Sequence, residues 1–167
     1  MTVAWTALPA NASDRRRGGD RWRIPAICAA LAVAPDLDML VTTHRAAWHS
    51  LASAVIVATA AWLLHSRRRS DVTMPPVRLA LACGLAWGSH VALDWLGKDG
   101  APPYGVMALW PFSRDYFISG LDVFGEVSRR YWLPLEFFWG NLGSVARELA
   151  ILGPIAAIAY WTRYRPD

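Results

Sequence analysis

Three of the chain's four histidines and several of its acids fall in a few short segments of similar chemistry. Asp36 and Asp38 stand in Ala34-Pro35-Asp36-Leu37-Asp38. His44 and His49 stand in His44-Arg45-Ala46-Ala47-Trp48-His49-Ser50, and His90 and Asp94 in Ser89-His90-Val91-Ala92-Leu93-Asp94. His90 and Asp94 are four apart, so on a helix they lie about 40° round and one turn along, and both can reach one ion. His44 and His49 are five apart, a poor spacing for one helical face, so at least one is expected in a turn. Asp36 and Asp38 would diverge on a helix, which predicts an irregular segment after Pro35 that aims both inward.

Three imidazoles and three carboxylates form a nitrogen and oxygen ligand set without thiolate. Such a set suits Zn²⁺, with Mn²⁺ or Fe²⁺ next, better than Ca²⁺. The pool exceeds one tetrahedral site, which leaves one or two ions open, with carboxylates bridging in the second case. A centre of this kind activates water and clamps the oxygens of a phosphoester displacement. Arg45, between the two histidines, is a candidate to hold a substrate phosphate or carboxylate. Glu148 is either a further ligand or the general base. Taken singly, each residue has a plainer reading: a helix cap for Asp36 or Asp38, an intrahelical pair for His90 and Asp94. His65, beside Arg67 to Arg69, reads as an interfacial side chain. The two cysteines, Cys28 and Cys83, form no CxxC and read as small buried side chains.

The elements that must bring these residues together are apolar. The chain has 167 residues, the size of one domain, with 54% hydrophobic and 18% charged residues. That composition excludes disorder, collagen and coiled coil. A polar basic tail covers residues 1–23, a single helical domain 24–163, and a short tail 164–167. Within the domain the apolar stretches are Ile24 to Ala34, Ala46 to Leu64, Val77 to Leu96 and Ser144 to Trp161. None alternates as a strand would, so all four are predicted helices. The expected fold is all-α, a four-helix integral membrane bundle. An aromatic-rich interfacial region over Gly97 to Gly143 joins the third and fourth helices, carrying Tyr104, Trp110, Phe112, Phe117, Trp132, Phe137, Phe138 and Trp139.

Length divides these stretches, since a bilayer needs about 20 apolar residues per helix. Charge placement favours the membrane. With four crossings and both termini cytoplasmic, eleven Lys and Arg fall on the inner side and six on the outer, the sense of the positive-inside rule. Trp22, Trp62 and Trp161 then mark the inner ends, and Trp48 and Trp95 the outer ends. Ala32-Val33-Ala34 has the look of a signal-peptide end, but Pro35 opposes cleavage there. Alternating helix direction carries all the candidate ligands to one end of the bundle, the non-cytoplasmic one. Arg15 to Arg17 read as a topology signal, with nucleic acid an unlikely partner.

The order Pro35-Asp36-Leu37-Asp38, then His44-Arg45 with His49-Ser50, then Ser89-His90 with Leu93-Asp94, then Gly105 with Leu109-Trp110-Pro111-Phe112-Ser113 resembles the YdjM-like family. The resemblance covers about Ile24 to Phe117, with a weaker echo at Arg147-Glu148-Leu149. It departs at Ala46, Ala47 and Trp48, where members usually carry Gly and Thr. The family is described as inner-membrane, LexA-binding, metal-dependent hydrolases. It is distantly similar to the zinc-dependent phospholipases C and single-strand nucleases, which cleave phosphodiesters with clustered His and Asp ligands. The resemblance implies a multi-pass protein of the bacterial inner membrane. It implies a hydrolase acting, amid membrane lipids, on an amphipathic or phosphoester substrate. The rival expectation is a non-enzymatic membrane protein whose polar cluster lines an ion or small-solute path.

Overall fold

A computed structural model of the chain describes residues 20–40, 45–67, 74–100, 102–127 and 132–164. Four α-helices carry it: α1 (Asp20–Val33), α2 (Leu51–Arg67), α3 (Pro76–Leu96) and α4 (Pro134–Tyr164). Among the described residues there is no strand, and the all-helical expectation holds. Two isolated bridges, Gly97 with Phe124 and Val106 with Phe117, tie down the segment after α3.

α3 lies between α1 and α2. Small residues bring α2 and α3 together: a Cβ on Gly84 would meet Ala58 Cβ at 2.9 Å and Ala54 O at 3.2 Å, and one on Gly88 would meet Ala54 Cβ at 3.8 Å. The pairing of 84 with 58 and 88 with 54 makes these helices antiparallel. Close backbone approach through Gly and Ala is how helices associate where burial of large side chains offers little gain. α1 runs parallel to α3, with the Cys28 thiol against Ala82 O and the Ala32 carbonyl against His90. Both helices therefore end on the side where α2 begins. Ile24, Cys28, Met74, Ala82 and Ala86 form one apolar cluster, and Ala54, Trp87, Val91 and Val106 another. Cys28 and Cys83 are both buried. His65 donates from Nε2 to the Met74 carbonyl (2.8 Å), joining the far end of α2 to the start of α3.

α2 starts where a local signal tells it to. Ser50 accepts on Oγ from the backbone N–H of Ser53 (3.1 Å), the geometry of a serine N-cap. α3 opens with Pro76 in its first turn, where no N–H is needed.

Two expectations about boundaries change. The first helix reaches back to Asp20, into the tail expected over 1–23; residues 1–19 and 165–167 lie outside the described residues. The fourth helix begins at Pro134 rather than Ser144 and runs 31 residues. Pro134 suits a first helical position, Glu136 suits the positive end of the helix dipole, and interior glycines at about 1 kcal/mol each do not stop it. Phe137, Phe138 and Trp139 thus sit on a helix, exposed, and not in a connecting loop.

α3 and α4 are each long and apolar enough to cross a membrane. α2 is apolar over 17 residues. α1, with 14 residues, extends about 21 Å against a hydrocarbon core of about 30 Å. α4 is fastened mainly through the segment before it: Ser144 Oγ donates to Glu126 O (2.6 Å) and Arg147 Nη2 to Asp122 O (2.8 Å).

Candidate metal centre

The ends of α1 and α3 and the entry to α2 bring four ligand atoms together. Asp36 Oδ1 lies 3.3 Å from His90 Nε2 and 3.6 Å from His49 Nε2. Asp94 Oδ2 lies 3.4 Å from His49 Nε2 and 3.7 Å from His90 Nε2. The two edges at Asp36 are close to the separation of about 3.4 Å between ligands held 2.0–2.1 Å from one ion, while Asp94 stands beside both histidines but outside the group that Asp36 forms with them. Asp36, His49 and His90 have all their ligand atoms within 4.8 Å of one another. The two imidazole rings meet edge to face, 5.1 Å between centroids.

The histidine tautomers follow from their other partners. His90 Nδ1 is 2.7 Å from the Ala32 carbonyl, which can only accept, so Nδ1 carries the proton and Nε2 keeps its lone pair. His49 Nδ1 is 3.0 Å from Asp38 Oδ2 and donates to it, leaving Nε2 as the ligand atom. His49 and Asp38 are both fully buried. A carboxylate or carbonyl behind each imidazole is the arrangement that orients ligating histidines and raises their basicity. His90 Nε2 and Asp94 Oδ2 are buried with no hydrogen-bond partner. Buried polar atoms left so carry a cost of about 1–3 kcal/mol, and a cation among them would remove it. The residues present therefore fit a divalent ion.

Asp36 and Asp38 divide the work instead of pointing to one place. Ala34–Leu40 forms a regular 3-10 helix, not an irregular stretch. At three residues per turn, two positions apart differ by about 120°. Asp36 faces the ligand group half exposed, whereas Asp38 stands behind His49 and also accepts from the Arg45 N–H (3.0 Å). Asp38, expected among the ligands, is placed against His49 Nδ1 and the Arg45 N–H.

His49 closes the short 3-10 turn Ala47–His49 just before the Ser50 cap, as the five-residue spacing required of one histidine. His44 lies outside the described residues. Trp48 packs its ring against Trp87, centroids 6.2 Å apart, and the Trp87 indole N–H reaches both Trp48 O and Ser53 Oγ (2.9 Å each). That clasp seats the turn on α3.

Arg45 differs most from its expected part. Its guanidinium lies against Asp99, through Nη1, and Asp94, 3.6 Å from Nε. Its backbone sits at φ 64, the left-handed region, which a non-glycine residue occupies at a cost. Asp99 was not among the candidates. It follows α3 directly, and its side chain accepts from the Gly105 N–H (2.7 Å). Its one sequence signal is a further acid five positions beyond Asp94, which reads equally well as a loop residue. The Ala32 carbonyl has no sequence signal, because any residue supplies one.

The Gly105-to-Ser113 motif contributes no ligand. It braces the site by backbone: Met107 N–H donates to Arg45 O (3.1 Å) and Leu51 N–H to Ala108 O (3.0 Å). Gly105 is at φ +91, and a Cβ there would lie 2.3 Å from Phe117 O. Glu148 falls in the middle of α4, half-buried and close enough to Asp94 for their charges to interact.

No curated protein and no solved structure matches the chain. The YdjM inner membrane protein family matches it over residues 1–165, nearly its whole length, and the chain belongs to that family.

Proposed function

We propose that this protein is a membrane-bound, metal-dependent hydrolase acting on a phosphoester or lipid-like substrate. The observation that carries the reading is the group Asp36, His49 and His90, its ligand atoms all within 4.8 Å of one another, with Asp94 beside both histidines and the His90 and Asp94 atoms buried without hydrogen-bond partners. A divalent transition ion, Zn²⁺ first and Mn²⁺ or Fe²⁺ next, would be held there, where it would supply Lewis acidity and lower the pKa of a bound water towards ~7.

The chain's own residues do the rest. Asp38 and the Ala32 carbonyl hold the two rings in the ligating tautomer. Arg45 holds Asp94. Glu148, within electrostatic reach of the centre, is the base that takes the proton from the attacking water. Asp36, half exposed, marks the side from which substrate enters. The segment after α3 exposes Leu109, Leu121 and the 95% bare Phe112. These residues lie against the bilayer interface and receive the apolar part of an amphipathic substrate.

In this reading the helices cross the inner membrane four times, with both termini cytoplasmic and the centre just beneath the outer face. α1 crosses together with its 3-10 extension. Membrane lipids surround the exposed flanks of α3 and α4.

Elemental analysis of purified protein, followed by a phosphodiesterase and phospholipase panel with the metal found, tests the proposal. Stoichiometric transition metal with turnover of one ester class is expected. Metal without turnover, together with ion flux in proteoliposomes, would overturn hydrolysis in favour of an ion path.

A further inference from the structure

We infer that the centre takes a single divalent ion, because the Arg45 guanidinium, clamped between Asp94 and Asp99, already fills the place of a second cation. The inference rests on the metal-centre reading above and goes beyond it to the number of ions.

Asp94 Oδ2 is a shared atom. It stands 3.4 and 3.7 Å from the ligand nitrogens of His49 and His90, and 3.6 Å from Arg45 Nε. Asp99 completes the far side of the guanidinium through Nη1. This is the layout of a two-cation site: one carboxylate bridging two positive centres, a second carboxylate terminal on one of them. In two-metal hydrolases both centres are ions about 3.5–4 Å apart. Here one centre is a side chain that keeps its charge at every accessible pH.

The guanidinium is not free to leave. The Arg45 side chain is 13% exposed, and its Nε and Nη1 are buried without hydrogen bonds, held to Asp94 and Asp99 by charge. Its backbone is pinned on both sides, the N–H by Asp38 and the carbonyl by the Met107 N–H. Asp99 is 4% exposed and fixed in turn by the Gly105 N–H. An ion approaching Asp99 and Asp94 would meet a permanent positive charge a few ångströms off, with little water to screen it.

Loading the full-length protein with Zn²⁺ or Mn²⁺ and counting metal per chain tests this directly. Wild type is expected to hold one ion, and its Mn²⁺ form to show the six-line EPR signal of an isolated centre. Arg45→Gly removes the guanidinium while suiting a backbone at φ 64, and is expected to raise the count to two, with an exchange-coupled Mn²⁺ signal. Adding Asp99→Asn to Arg45→Gly is expected to return it to one. Two ions in wild type, or one in folded Arg45→Gly, would overturn the inference and leave the metal centre standing. No metal in wild type would overturn the centre itself. Should Arg45→Gly not fold, the wild-type count and EPR signal decide alone.

Discussion

His90 on α3 donates its Nδ1–H to the carbonyl of Ala32 on α1, 2.7 Å away and 58 positions distant in the chain. A carbonyl at the end of one helix thereby selects the tautomer of a ligand on another. The contact also ties the parallel packing of α1 on α3 to the chemistry of the site. Asp38 does the same for His49 from the segment that follows α1.

The two kinds of residue are separable by mutation. His90→Ala removes a ligand atom and is expected to abolish stoichiometric metal binding. Asp38→Asn leaves all four ligand atoms but weakens the hold on His49, for an expected loss of about 10–100-fold in metal affinity. Isothermal titration with Zn²⁺ or Mn²⁺ checks both, and equal losses would refute the division between ligand and support.

Acid should remove the metal through the imidazoles and not through Asp36. An ordinary aspartate carboxyl, with a pKa of about 3.9, is already ionised throughout pH 5–8 and gains its proton only below that window. Ligating nitrogens must be deprotonated, so metal affinity is expected to fall as pH drops from about 7 to about 5. Asp36→Asn should lower affinity across this window without moving the midpoint of the fall. A midpoint that moves with Asp36→Asn would contradict the assignment.

Gly84 sets the distance between α2 and α3. A Cβ there would lie 2.9 Å from Ala58 Cβ and 3.2 Å from a backbone oxygen. Gly84→Val is expected to destabilise the protein by about 1–3 kcal/mol, read as a lower thermal midpoint in detergent. Gly143, with nothing within 4 Å of its would-be Cβ, is the control, and Gly143→Ala should leave the midpoint unchanged or slightly raised.

Membrane crossing is open to two simple measurements. The protein should stay in the pellet on carbonate extraction. Reporters fused at either terminus should report the cytoplasm, and a reporter inserted after Gly120, in the segment between α3 and α4, should report the opposite side. Release into the supernatant would mean that the apolar faces of α3 and α4 are covered by something other than lipid.

Much of the centre was legible from spacing. His90 and Asp94 face one point because four residues are a helical turn, and the ligand segments converge because helix direction alternates. The split between Asp36 and Asp38 was not legible. It depends on the chain winding as a 3-10 helix after Pro35, which composition does not distinguish from an irregular loop. The start of α4 was hidden by Gly and aromatic residues, which read as a loop until Pro134 is seen at a first turn.

The amino-acid sequence by itself determined the helical class, the apolar flanks and the residue types of the ligand set, because these follow from local periodicity and side-chain chemistry. Tertiary structure alone decided that Asp36 faces both imidazoles while Asp38 stands behind His49, that Arg45 is paired with Asp94 and Asp99, and that Asp99 reaches this place at all. Those outcomes depend on where side chains from α1, α3 and the segments around them come to rest within a few ångströms, and no pattern along a single segment carries that distance.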